Sequence, residues 1–232
     1  NPTGDTYSDE NIISIIEAGK AYSEEFLCIF DHAYLLHDFL PSPTQTPVWE
    51  LAANLDAEDQ IAVFCSFSKV TFGGGGLAFA AAGKKLFDLL SRQRASMIVC
   101  PDKVNQMRHL EFLKDKAGVL EHMEKHAEIV RPKFEVAFKA LDVLSPEIGS
   151  YQKPTGGYFI SYDAKRPIAR RVIELCKEVG VLITPAGSTY PHFHDPLDSN
   201  IRLAPTFLGV EDLEDAMEVF VTAIMIAHQE LD

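Results

Sequence analysis

The chain has 232 residues, 47% hydrophobic and 24% charged, enough length and apolar content for one large or two small globular domains with a real core. That excludes a disordered tail and a disulfide-stapled miniprotein. Lysine plus arginine total 21 against 34 aspartates and glutamates, a formal charge of −13, which argues against nucleic acid or an anionic membrane surface as partner.

The four cysteines, Cys28, Cys65, Cys100 and Cys176, form no C-x-x-C pair, so they read as reduced, mostly buried thiols of a cytoplasmic protein. No apolar run approaches the roughly 20 residues that span a bilayer. The best, Val219 to Ala227, is flanked by Glu218 and His228 and reads as a core-facing helix.

The chain opens on Asn1-Pro2-Thr3-Gly4, a turn-type tetrapeptide with no basic leader. Ser8-Asp9-Glu10 then precedes Ile12, Ile13, Ile15 and Ile16, a capped helix running to about Lys20. Phe26 to Phe30 is a short apolar run ending at Asp31, and Gln60 to Cys65 is a second, ending at Ser66-Phe67-Ser68-Lys69. Such runs suit strands buried on both faces, as in a parallel sheet under helices. Between them lie a loop with Pro41, Pro43 and Pro47 and a helix near Trp49 to Asn54. After Gly73 to Gly76, Leu77 to Ala82 fits either a third strand or the start of a small-residue helix.

From Lys84 the pattern turns helical: Lys84 to Arg94, Pro101 to Leu113, then a long amphipathic stretch from Gly118 to Leu141. Tyr158 to Ser161, Val181 to Thr184 and Ile201 to Leu203 read as strands, with a helix from Pro167 stopped by Gly180 and a closing helix from Val210 to Glu230. Helices and strands alternating at this spacing argue an α/β fold with a smaller α+β part following.

Ligands of open α/β sheets bind beyond the carboxyl ends of the strands. Here Asp31 and Lys69 stand at two such ends. Charged residues at strand ends often merely meet solvent, but Lys69 follows Ser66 and Ser68, hydroxyls suited to a phosphate, and precedes a glycine run. At the end of an apolar strand a lysine is expected to be partly desolvated and usable as an amine nucleophile. With pyridoxal phosphate as cofactor, a lysine carries it as a Schiff base and a buried carboxylate keeps the ring nitrogen protonated. Tyr34 is placed to hydrogen-bond the ring's phenolic oxygen, and Arg202, inside Ile201-Arg202-Leu203, to clamp a substrate carboxylate or to sit in a structural ion pair.

In order along the chain, Asn1-Pro2-Thr3-Gly4, Asp31-His32-Ala33-Tyr34, Ser66-Phe67-Ser68-Lys69, Pro154-Thr155-Gly156-Gly157-Tyr158 and Asn200-Ile201-Arg202 resemble the motifs of class I/II aminotransferases of the aspartate aminotransferase fold. Ser68 to Gly73 and Leu182 to Pro191 look closest to a bacterial aspartate-aminotransferase-like subgroup. The resemblance implies that Asn1 and Tyr34 bind the phenolic oxygen, Asp31 the ring nitrogen, and Ser66 with Ser68 the phosphate; Lys69 is the Schiff-base lysine and Arg202 the α-carboxylate clamp. It further implies a homodimer acting on an amino acid, aspartate or glutamate foremost, and a 2-oxo acid. Arg94 or Arg108 would bind the second carboxylate. Many members carry an arginine eight residues after the lysine, where this chain has Leu77, and backbone N–H groups of Gly73 to Gly76 are candidates to replace it.

By this resemblance, residues 1–105 form the second half of a cofactor-binding large domain and residues 106–232 the small C-terminal domain, so the chain is expected to be the C-terminal portion of a longer protein. Another reaction of the same cofactor, such as a β-lyase or decarboxylase, a cofactor-sensing domain of a transcriptional regulator, and a catalytically incomplete fragment remain alternatives. Other patterns carry less. His122 and His126 share a helical face without the glutamate of a zinc protease, His192-Phe193-His194-Asp195 reads as a solvated loop, and the glycine run has no P-loop frame.

Overall fold

Ser8 starts the first helix because its hydroxyl accepts the Asn11 N–H at 3.2 Å while the Asn11 side chain accepts the Ser8 N–H at 3.3 Å, a reciprocal cap. The computed structural model describes residues 3–41 and 45–232. Pro43 of the proline loop and Asn1 lie outside the described residues.

Two compact units make up the chain, one of residues 7–37 and 45–125, the other of residues 3–6, 38–41 and 126–232. This division falls inside a helix, whereas the sequence sets its join at 105/106.

In the first unit α1 (Asp9–Tyr22) and α2 (Val48–Asn54) bury Ile12, Ile16, Val48 and Leu51 against one face of a three-stranded sheet. Its strands are β1 (Cys28–His32), β2 (Ile61–Ser66) and β3 (Ala78–Ala82), in that order. β1 pairs with β2 in parallel and β3 returns antiparallel, so that of Leu77 to Ala82 the residues Ala78 to Ala82 form a strand. The expected burial on both faces does not hold in β1. Cys28, Phe30 and Val63 pack toward the helices, while Ile29 and Phe64 are exposed. Successive side chains of a strand point to opposite faces, and α1 and α2 cover only one. α3 (Lys84–Met97) and α4 (Lys103–Leu113) follow, then α5 (Lys116–Leu141), in which the division at 125/126 falls.

The second unit holds an antiparallel sheet in the order β4 (Gly149–Tyr151), β5 (Ile160–Ala164) and β6 (Asn200–Leu203). α6 (Ala169–Glu178), α7 (Val210–Gln229) and the second half of α5 enclose its core around Phe134, Ile160, Val172, Ile201, Phe220 and Ile224. β4 carries no apolar run to announce it.

Val181 to Thr184, expected as a strand, is not one. Gly180 takes φ +93°, its N–H bonds Lys177 O at 3.1 Å, and the Val181 N–H bonds Cys176 O at 2.9 Å. This closing motif of α6 spends the first donor a strand would need, and Leu182 is left exposed.

The thiols are all free, but only Cys176 is buried; Cys28 and Cys65 are half-buried and Cys100 is exposed. Burial pushes the Cys176 thiol up to about 11.

Phe134 is fully buried and stacks on Phe39 with ring centroids 4.2 Å apart. Phe134→Ala is expected to cost about 3–5 kcal/mol, measured as a lower urea midpoint with an unchanged slope.

Candidate active site

Parallel register places Asp31 opposite Phe64 and His32 opposite Cys65. Paired residues share a face of the sheet and alternate residues return to it, so Asp31, Phe64 and Ser66 lie on the face that α1 and α2 leave open. Asp31 is exposed there, not buried as the sequence led us to expect. His32 points the other way, where burial, opposed by the nearby Asp31 charge, holds its imidazole below its ordinary pKa.

β2 ends at Ser66, and the chain turns at once. The Ser66 hydroxyl accepts the Ser68 N–H at 3.0 Å and lies 2.5 Å from the Ser68 hydroxyl. Phe67 N–H bonds Leu77 O at 2.8 Å, while Val70 and Thr71 N–H both bond Phe67 O, at 3.0 and 2.9 Å. Gly76 must be glycine for the returning chain to pass this close, because a Cβ there would meet the Ser68 backbone at 2.5 Å. Within the glycine run the Gly75 N–H is already bonded to Phe72 O at 3.0 Å. The full run of four N–H groups is therefore not open to an anion.

Lys69 sits in this turn, three residues beyond the strand, and is exposed instead of partly desolvated. Its Nζ lies 5.0 Å from the centroid of the Tyr34 ring, in reach of a cation–π attraction. The structure thus brings Lys69 to Tyr34 and Ser66 to Ser68. Arg94 and Arg108 are exposed on α3 and α4.

Three histidines touch the same turn, and the sequence singled out only one of them. His37, 3% exposed, has its Nε2 3.1 Å from Lys69 O; His109, also 3% exposed, has Nε2 2.7 Å from Thr71 Oγ1; His122 has Nε2 2.6 Å from Val70 O. His126, the helical neighbour of His122, bonds the Tyr158 hydroxyl at 2.9 Å. A histidine embedded in apolar sequence gives no sign of which carbonyl it will meet.

In the second unit β6 presents Arg202, whose guanidinium lies 4.7 Å from the Phe159 ring centroid. Its buried Nε has no hydrogen-bond partner, and Arg202 belongs to no ion pair among the described residues. The structural ion pair considered as its alternative role is absent there.

Just before β6, Asp195 is 3% exposed and accepts the N–H groups of Leu197, Ser199 and Asn200 at 2.9, 2.8 and 2.8 Å. His192, Phe193 and His194 are exposed as expected of that loop, but its aspartate is an internal anchor. Burial alone would raise the Asp195 pKa; the N–H donors of Asn200, Leu197 and Ser199 outweigh it and hold the carboxyl below its ordinary value.

The aspartate amino-transferase family profile matches residues 1–231. An aspartate aminotransferase of Corynebacterium glutamicum is 35% identical over 233 residues, 99% of this chain and 54% of that protein. A crystal structure of an aspartate transaminase from the same organism superposes with a TM-score of 0.93 at 33% identity, covering 99% of this chain and 55% of the other. An alpha-aminoadipate aminotransferase from Thermus thermophilus, complexed with N-(5'-phosphopyridoxyl)-L-leucine, shares the fold with a TM-score of 0.82 at 23% identity, over 99% of this chain and 57% of that one. The α/β architecture with its smaller antiparallel sheet is thus that of aminotransferases. This chain belongs to the aspartate aminotransferase family, and it spans about half the length of the curated relatives it matches.

Asp195→Asn should cost about 2 kcal/mol in urea unfolding near neutral pH by weakening a charge-assisted cluster. A depressed carboxyl pKa contributes stability above the ordinary value, near 4, and loses it as pH falls through the folded value. The gap between parent and variant should therefore close below about pH 4.

Proposed function

We propose that the protein is a pyridoxal-phosphate-dependent aminotransferase that moves an amino group from an amino acid, aspartate or glutamate foremost, to a 2-oxo acid. The observation that carries this is the Lys69 amine held over Tyr34 in the turn that also pairs the Ser66 and Ser68 hydroxyls. Membership of the family supports the cofactor, and so does the donor set. A carboxylate, a phenol, two adjacent hydroxyls and a primary amine suit, in turn, a ring nitrogen, a phenolic oxygen, a phosphate and an aldehyde. The resemblance adds Asn1 to the phenolic-oxygen contacts. With Leu77 where other members have arginine, the phosphate would rest on hydroxyl and backbone donors.

When bound, the cofactor supplies an electron sink for the carbanion formed at the substrate Cα. Asp31 offers its carboxylate to the protonated ring nitrogen from the open face of the sheet, and Tyr34 donates its hydroxyl toward the phenolic oxygen. Lys69 would hold the cofactor through its ε-amine, and the same amine, when free, would take the Cα proton and return it. Arg202, which forms no ion pair among the described residues, would hold the substrate α-carboxylate. We assign the protein to the cytoplasm and expect it to act as a homodimer, with residues 1–105 and 106–232 as its domain portions. Among the described residues no helix is long and apolar enough to cross a membrane.

Borohydride reduction of the purified protein in the presence of pyridoxal phosphate should fix the cofactor on the Lys69 peptide, and Lys69→Ala should show no visible cofactor band attached to protein. Labelling of another lysine, or an unchanged band in that variant, would overturn the assignment. Arg202→Ala should raise KM for amino acids about a hundredfold in half-reactions. Comparing aspartate, alanine and phenylalanine as donors tests the dicarboxylic preference, and equal rates would count against it.

A further inference from the structure

The turn that carries Lys69 has little of its own to hold it. It lies past the end of the β2 ladder, the Val70 and Thr71 N–H groups and the Thr71 hydroxyl all converge on the one Phe67 carbonyl, and Gly73 to Gly76 follow at once. Glycine leaves a chain its widest backbone freedom. Yet each of the three consecutive residues Lys69, Val70 and Thr71 meets one imidazole: Lys69 O at His37, Val70 O at His122 and Thr71 Oγ1 at His109.

These histidines come from different parts of the same compact unit: His37 follows β1, His109 lies on α4, and His122 on α5. Their proton positions follow from their partners. A carbonyl oxygen only accepts, so His37 and His122 carry hydrogen on Nε2 and donate it. His109 Nδ1 lies 2.9 Å from Asn105 O and must donate there, so in the neutral ring Nε2 accepts the Thr71 hydroxyl proton. That hydroxyl is also 3.1 Å from Phe67 O, and one proton serves one acceptor at a time.

Aromatic neighbours fix the rings. Tyr34 meets His37 edge-on at 5.5 Å, Phe67 and Phe72 flank His109 at 6.1 and 5.5 Å, and Phe112 meets His122 at 5.1 Å. A buried histidine usually bonds some carbonyl merely to satisfy itself. Here two buried histidines, His37 and His109, and the half-buried His122 take successive residues of one turn, and the first of those residues is the lysine.

We propose that His37, His109 and His122 are positioning residues that jointly clamp Lys69-Val70-Thr71, by the Lys69 and Val70 carbonyls and the Thr71 hydroxyl, and so fix the point from which the Lys69 amine reaches over Tyr34. The role of the clamp in presenting the amine rests on the assignment of Lys69 as the cofactor-bearing residue; the clamp itself does not. Misplacing a reacting group by about 1 Å can cost about a hundredfold in rate, which is what such a clamp would prevent.

The test is hydrogen–deuterium exchange of the purified protein without added cofactor, read at the Val70 and Thr71 amides. In His37→Leu, His109→Leu and His122→Leu each, exchange there should rise about tenfold, the loss expected for one buried hydrogen bond, while amides of β4, β5 and β6 stay protected. Glutamine places an amide nitrogen or oxygen where Nε2 stood, so His37→Gln, His109→Gln and His122→Gln should restore most of the protection; they also serve where a leucine variant does not fold.

A second reading is the rate of borohydride-trapped labelling of Lys69 by pyridoxal phosphate below saturation, expected to fall several-fold in the leucine variants and recover with glutamine. Parental exchange at Val70 and Thr71, or a rise shared equally with β4 to β6, would overturn the clamp. Faster local exchange with unchanged Lys69 labelling would overturn its role in presenting the amine. A parent protein that labels elsewhere would sink the assignment of Lys69, leaving exchange to decide the clamp.

Discussion

Five residue pairs, from Cys28 with Ile61 to His32 with Cys65, hold β1 and β2 side by side and in parallel, and which side chains stand on the open face hangs on that register. Shifting one strand by one residue would turn every one of its side chains to the opposite face. Asp31 would then point at the helices and His32 outward. The register is guarded by apolar contacts on the other side, where Cys28, Phe30 and Val63 meet the core of α1 and α2. Packing on one face of the sheet thereby determines which polar groups stand on the other, and the covered face needs no chemistry of its own.

Much of the fold was legible because its elements announce themselves by period and punctuation. Ser8 and Gly180 marked helix ends through hydrogen bonds that the structure contains, and the apolar runs of β1 and β2 were visible as such. What a run cannot convey is how many of its faces are covered, since that depends on residues distant in sequence; hence Ile29 and Phe64 are exposed against expectation. Val181 to Thr184 has a strand's composition, but the backbone donor of Val181 had already been taken by the helix before it. Composition registers propensity and is blind to that prior claim.

The candidate site divided along a similar line. Lys69, Tyr34, Ser66 and Ser68 stood out by spacing and were brought together in pairs. The groups that hold their surroundings did not stand out. His37 and His109 are isolated letters in the sequence; in the other unit, before β6, Asp195 likewise looked like one more polar residue of a loop until three backbone N–H groups were found converging on it. A motif can be read as a spacing along the chain, whereas a bracing contact is set by whichever group, distant in sequence, happens to need a partner.

Position 77 shows what such bracing permits. The Leu77 carbonyl closes the connection between β2 and β3 by accepting the Phe67 N–H, next to the final ladder pair of Ser66 with Ala78. That bond belongs to the main chain, which every residue type supplies in the same form. The lysine turn is thus sealed at its base independently of the side chain at 77. Whatever side chain stands at 77, the connection from β2 to β3 closes in the same way, so a substitution there can change the chemistry beside the turn while its base stays shut.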